Sequence, residues 1–511
     1  MKRNIVNFIQ FARGTEPRDP LLDLTESVRQ TVSLLKKYDF HGTLLLQYDA
    51  LIDPVYSKIV QEAGEHLEAG LWLEIVQPLA ETAGIPWNGR EGFVWDWHCH
   101  CGALIGYSPE ERKKLIDSAV ARFVEIFGYT PKVVGAWVLD AASLRYLKER
   151  YDIVAACNCK DQWGTDGYSL WGGCGAAYYP SQKNILYPAQ TAENQIDVPV
   201  FRMLGSDVIY QYDAFLQNGA HVITLEPAYG LNSRGGGSDP AWVDWFFKEN
   251  YLSNRGISLA YAQAGQENSF GWESVSRGLA DQMEKIAKMR AEGKVEVLTL
   301  GETGEWYSSC YSKTPPNAQA ALTDWKEDGR RSVWYYSSFY RVNLYFDKGV
   351  VGIRDCYLFD ENYPERYLVE TCCTDNCLFD NLPVWDGLLW SKGDTATILA
   401  LKKVHGDAFR FDGIEYEENE NSIMAVVSGE MRISFLFSPQ NITIRSAGEE
   451  FCLHGDAAMT DTTIESKSEN MVVLSHCGYK YAVIAEKGRF AQDKIFSLNG
   501  EIRISFKTLK Q

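Results

Sequence analysis

Two of the chain's eight histidines, His98 and His100, stand one residue apart in the run Gly-Phe-Val-Trp-Asp-Trp-His-Cys-His-Cys-Gly, residues 92–102. In an extended segment residues i and i+2 point the same way, so both imidazoles, with Asp96 at the same alternate spacing, can face one point. Two chemistries suit such a set: a facial metal site built from Asp96, His98 and His100, or a loop that contacts substrate. The loop is the reading preferred from sequence. No metal or other cofactor is expected, with a divalent ion held by those three residues as the alternative.

A second set is dispersed along the first 310 residues. Arg13, Glu74, Asp140, Asp161, Asp166, Glu226, Glu267 and Glu302 each follow an apolar run, and Trp97, Trp137 and Trp272 lie among them. Carboxylates and amides bond sugar hydroxyls, and indole faces stack on the apolar faces of pyranose rings. Paired carboxylates also carry out glycoside hydrolysis, one protonating the leaving oxygen while the other attacks or activates water. Nucleotide chemistry has no support, because neither GxGxxG nor GxxxxGK[ST] occurs, and no GxSxG elbow is present.

These residues need elements that gather them. Buried-strand runs are read at 5–11, 43–47, 70–75, 133–139, 153–157, 198–204, 221–225, 258–262 and 295–300, rich in β-branched and aromatic residues without polar alternation. Helices alternate with them. Asp23 with Glu26 opens one, and Ser108-Pro109-Glu110-Glu111 opens another that Gly128 closes. About seven βα repeats predict an α/β fold, a (β/α)7-type barrel over 1–310, whose ligands sit at the carboxyl ends of its strands. The segment 311–330 reads as a linker. Short β-rich runs after it predict an all-β, sandwich-like C-terminal domain over 331–511.

The formal charge of −18, from 50 basic and 68 acidic side chains, argues against nucleic acid or an anionic membrane as partner. Asn4, Asn7 and Gln10 interrupt the N-terminal apolar run, and no 18-residue apolar stretch exists, so a cytoplasmic protein without membrane spans is expected. Twelve cysteines, three of them in Cys-Cys-Thr-Asp-Asn-Cys at 372–377, lack paired CxxC spacing. The expected partner is a small carbohydrate.

At the fourth expected strand the sequence resembles a known family. Residues 135–153, GAWVLDAASLRYLKERYDI, resemble the G-x-W-L-x-E segment of glycoside hydrolase family 57, in which the acidic residue is the nucleophile. Residues 264–274, AGQENSFGWES, resemble the segment that carries that family's general acid. The wider resemblance, over about residues 1–310, is to the seven-stranded barrels shared by families 57 and 38 and the polysaccharide deacetylases. By that resemblance the chain is identified as a divergent member. Ile9-Gln10-Phe11 stands where family 57 has His-Gln-Pro, and the deacetylases' paired aspartates and H-x-x-x-H are missing.

The resemblance implies a retaining glycosidase acting on a small neutral glycoside or oligosaccharide. Asp140 would be the nucleophile and Glu267 the acid/base, its carboxyl raised by Phe270 and Trp272, with Glu226 the strongest rival acid. Arg13, Glu74, Trp97, His98, His100, Trp137, Asp161, Asp166, Trp272 and Glu302 would contact substrate. Two other readings stay open: a metal-dependent deacetylase or mannosidase-like hydrolase, and a non-catalytic carbohydrate-binding protein on a degenerate barrel.

Overall fold

A computed structural model describes residues 2–165, 168–203, 205–218, 223–230, 235–265 and 267–509. Its N-terminal layer is a parallel sheet of β1 (Arg3–Ala12), β2 (Gly42–Leu46), β3 (Leu67–Trp72), β4 (Val133–Ala136), β5 (Ala155–Asn158), β6 (Val200–Arg202), β7 (Leu259–Ala264) and β8 (Glu296–Val297). The order is β6-β5-β4-β3-β2-β1-β7, with β8 against the start of β1. The sheet curls into a half-barrel. Every residue of β2, β4 and β5 is buried, as strands covered on both faces require.

The helices begin where their caps predict. Asp23 accepts from the N–H groups of Thr25 and Glu26 to open α1 (Leu24–Tyr38). Ser108 and Glu111 form a reciprocal capping box on α2 (Pro109–Phe127), which ends at Gly128 with φ 78°. Asp140 caps α3 (Ala141–Tyr151), and α4 (Gly271–Ala291) packs against α1. The last expected strand differs. Its run 295–300 pairs only at Glu296–Val297, because Thr299 and Glu302 form a capping box that starts α5 (Leu300–Cys310). The expected strand at 221–225 is described only from residue 223, where Thr224 bridges Ser206 in antiparallel sense.

The C-terminal part is all-β, in two antiparallel sheets of nine and eight strands. Aromatic contacts join them: Tyr335 stacks on Phe437 at 6.3 Å, and Tyr340 meets Phe506 at 5.2 Å. The segment expected as a linker contributes a strand, Asn317–Ala321, to the larger sheet. Asn317 also clamps the barrel, accepting from the N–H groups of Ile257 and Ser258 and donating to the Leu259 carbonyl at 2.8 Å. Among the described residues no helix is long and apolar enough to cross a membrane.

Candidate functional site

The carboxyl ends of β1, β2, β3 and β7 bring one buried charge cluster together. Arg13, 2% exposed, follows β1. Its Nε and Nη2 donate to Glu74 Oε2 at 3.2 and 3.1 Å, and its Nη1 donates to Glu267 and, at 2.9 Å, to Ser269 Oγ. Glu74 Oε2 also accepts from Gln47 Nε2 at 3.2 Å and Trp72 Nε1 at 2.8 Å. The guanidinium thus stands between two carboxylates that end different strands, with the Trp95 ring 4.0 Å from it. Beside it, Trp137 packs edge-on against Phe11 and Trp72 at 5.1 and 5.7 Å.

The backbone holds this cluster by local means. A Cβ at Gly265, where φ is 106°, would lie 2.2 Å from the Ile9 carbonyl, so only glycine lets the end of β7 press against β1 on the way to Glu267. Asn268 then grips Arg13 from both sides, accepting from its N–H at 2.9 Å and donating to its carbonyl at 2.8 Å. Tyr56 donates to the same carbonyl at 2.9 Å.

The histidine loop closes a different contact. Asp96, fully buried, is gripped by Arg90 through its N–H, Nε and Nη2 at 2.9–3.0 Å. Burial opposes ionisation of Asp96, but the Arg90 bonds hold its carboxyl below the usual range. His98 Nδ1 lies 2.9 Å from Asp96, and His100 Nδ1 lies 3.2 Å from Asp375. Both are ion-pair distances whose directions do not make hydrogen bonds. The rings stack at 6.0 Å, and Cys99 donates its N–H to the Asp375 carbonyl at 2.9 Å. The Cys372–Cys377 run of the C-terminal part therefore covers the histidine loop. Among the described residues, the ligand-type atoms of Asp96, His98 and His100 do not all lie within 4.8 Å of one another. Trp97 packs half-buried against Arg90, its ring centroid 4.4 Å from the guanidinium carbon.

Other expected site residues land elsewhere. Asp140 is fully buried and serves as the N-cap of α3, accepting from Ser143 N and Oγ at 2.9 and 2.6 Å and from Arg112 at 3.3 Å. Arg112 also donates to the carbonyls of Tyr367 and Glu370, so Asp140 is turned into the junction with the C-terminal part. Glu365 lies in that junction, accepting from Ala141 N and Ile185 N. Burial, and then the Asp140 charge, pushes its carboxyl up to about 8.

Asp161 pairs with Arg341 at 2.6 Å and Arg202 at 3.4 Å, a second bridge between the two parts. Glu302, in its capping box, lies 3.8 Å from His41, just before β2 begins. It is therefore at the end of the half-barrel opposite Arg13, because the strand expected to carry it stops early. Trp272 is half-buried in the first turn of α4, and Glu226 is buried. Asp166 lies outside the described residues.

Sequence reasoning gave no role to Asn268, Arg112 or Glu365. The first lies within the Gln266-Glu267-Asn268 run, so its position was visible. The other two depend on contacts across more than 220 residues that no local spacing signals.

Residues 106–321 match the family described as "Domain of Unknown Function with solved-structure structure (DUF3863)". Curated proteins give no match. Among solved structures, a Parabacteroides distasonis protein provisionally described as a glycoside hydrolase/deacetylase is 14% identical, with a TM-score of 0.54 over 75% of this chain and 89% of that one. A Mycobacterium smegmatis protein provisionally described as a polysaccharide deacetylase is 12% identical, with a TM-score of 0.38 over 60% and 91%. The 4-alpha-glucanotransferase of Thermococcus litoralis is 10% identical, with a TM-score of 0.31 over both full chains. The first likeness shows the fold alone, a parallel half-barrel sheet followed by antiparallel β-sheets.

Proposed function

We propose that this chain is a carbohydrate-active hydrolase that cleaves the glycosidic bond of a small neutral glycoside or oligosaccharide at the mouth of the half-barrel. The observation that carries the reading is the meeting of Glu74 and Glu267, from the ends of β3 and β7, on Arg13. Both carboxylates accept from the Arg13 guanidinium. Glu74, with four donors on one oxygen, anchors Arg13. Glu267 attacks the anomeric carbon, and Glu226 supplies the proton to the leaving oxygen. Glu226 then takes a proton from the water that breaks the glycosyl ester, giving retention.

A panel of nitrophenyl glycosides tests this, with product anomers read by NMR. Glu267→Gln should lower kcat at least ~10³-fold. Glu226→Gln should spare substrates with activated leaving groups relative to unactivated ones, because only the latter need the proton. Turnover undiminished by Glu267→Gln sinks the assignment. Chelator-sensitive release of acetate from acetylated sugars, without glycoside cleavage, replaces it with deacetylation.

A further inference from the structure

Outside the half-barrel mouth, a cavity of about 280 Å³ lies where Trp163 and Trp171 meet Trp390, Asp386 and Arg366 of the C-terminal part. Its wall carries Asp380, His476 and Cys477. Among the described residues these form one group whose ligand-type atoms, a carboxylate oxygen, an imidazole nitrogen and a thiol sulfur, all lie within 4.8 Å of one another. The segment before strand Leu382–Asp386 supplies Asp380, and the hairpin joining strands Met471–His476 and Tyr479–Lys487 supplies the other two.

We propose that Asp380, His476 and Cys477 form a binding site for a divalent transition-metal ion, zinc by its donors, at the wall of this cavity. One oxygen, one nitrogen and one sulfur donor suit a borderline-soft ion that accepts all three, and calcium or magnesium would not take the thiolate. Three protein ligands beside an open cavity leave a fourth tetrahedral position for water or an oxygen ligand.

Three independent features point the same way. The Cys477-Gly478 loop pairs His476 with Tyr479 and has φ 48° and 83°, the two positive values of a type I′ turn, which asparagine and glycine adopt with least strain. A thiol at its first position carries a backbone cost of about 1 kcal/mol or more, of the kind kept where a side chain is needed for function. His476 has the outer partner typical of metal-binding imidazoles, the Thr462 hydroxyl 2.7 Å from Nδ1, which orients the ring. Asp380 is likewise supported from outside, by Arg366 Nε and Nη2 at 2.7–2.9 Å, while its Oδ1 lies 3.6 Å from Cys477 Sγ. A zinc ion would draw the three donors to about 3.3–3.8 Å of one another, and ligation would release the Cys477 thiol proton to solvent.

Metal titration of the full chain tests the site. Stripped protein titrated with Zn2+ and Co2+ should bind one equivalent. The Co2+ form should show a thiolate-to-cobalt charge-transfer band in the near ultraviolet, absent in Cys477→Ser. His476→Ala should weaken binding at least tenfold, and Thr462→Val, which removes no ligand, about tenfold. Cys477 is exposed and His476 half-buried, so Cys477→Ser and His476→Ala should keep the wild-type melting curve, and bound Zn2+ should slow alkylation of Cys477 in the parent. The proposal is overturned if no stoichiometric binding occurs, if the band survives Cys477→Ser, or if affinity is unchanged in His476→Ala.

Discussion

Asp140→Asn separates a buried structural carboxylate from a nucleophile. The amide can still cap α3, since asparagine and aspartate are nearly equal N-caps. What is lost is the charge opposite Arg112, which is 2% exposed. Removing one partner of a buried ion pair costs ~3–5 kcal/mol. Two features reduce that figure. The Arg112–Asp140 contact is long, at 3.3 Å, and Arg112 keeps four carbonyl acceptors, on Tyr107, Tyr367, Ile105 and Glu370. Glu365 can also ionise once the neighbouring charge is gone and so compensate Arg112. The net cost should be about 1–3 kcal/mol, read as a lower urea midpoint, while kcat/KM on the best aryl glycoside stays within about tenfold of wild type. Loss of turnover by ~10⁴-fold with an unchanged urea midpoint would refute this reasoning and restore Asp140 as the nucleophile.

Glu365→Gln should change how stability depends on pH. In the folded protein this carboxyl keeps its proton up to about pH 8, whereas in the unfolded chain it loses it near the ordinary glutamate value of 4.5. The folded state therefore binds more protons between those values, and stability falls as pH rises through the window. Denaturation midpoints measured from pH 5 to 8 should slope downward in the parent and less steeply in the variant; parallel slopes contradict the assignment. Arg341→Met strips the partner from Asp355 and one of two partners from Asp161, both buried, and should cost ~3–5 kcal/mol, visible as a lower melting temperature. Adding Asp355→Asn should recover part of that loss. Arg13→Lys replaces a fork with a point charge, so it cannot hold Glu74 and Glu267 together; kcat should fall by ~10²-fold or more while the surrounding sheet stays folded by circular dichroism.

What could be read from sequence follows the range of the interactions involved. Strands buried on both faces and helices opened by Ser108-Pro109 or Asp23 are fixed by neighbours within four residues, and these elements stand where the pattern puts them. Competition between two local signals decided the exceptions. The apolar run 295–300 favours a strand, but Thr299 with Glu302 favours a helix start; the cap prevails, and Glu302 goes to the end of the half-barrel opposite Arg13. Asp140-Ala-Ala-Ser143 carries the same ambiguity, since an aspartate before a short helical run reads as a cap as readily as a nucleophile.

The meeting of Arg13 with Glu74 and Glu267 spans 61 and 254 residues, so no spacing encodes it. It followed only from the topological rule that parallel strands deliver their carboxyl ends to one mouth. That rule has a limit at this chain's second part. Asp161 obeys it by position, yet Arg341, 180 residues away, draws it into a bridge between barrel and sandwich. A strand-end carboxylate is therefore available for chemistry only where the domain packed above it brings no cation of its own. In this chain that condition separates Glu74 and Glu267, whose shared Arg13 comes from the half-barrel itself, from Asp161, which Arg341 of the C-terminal sheet claims.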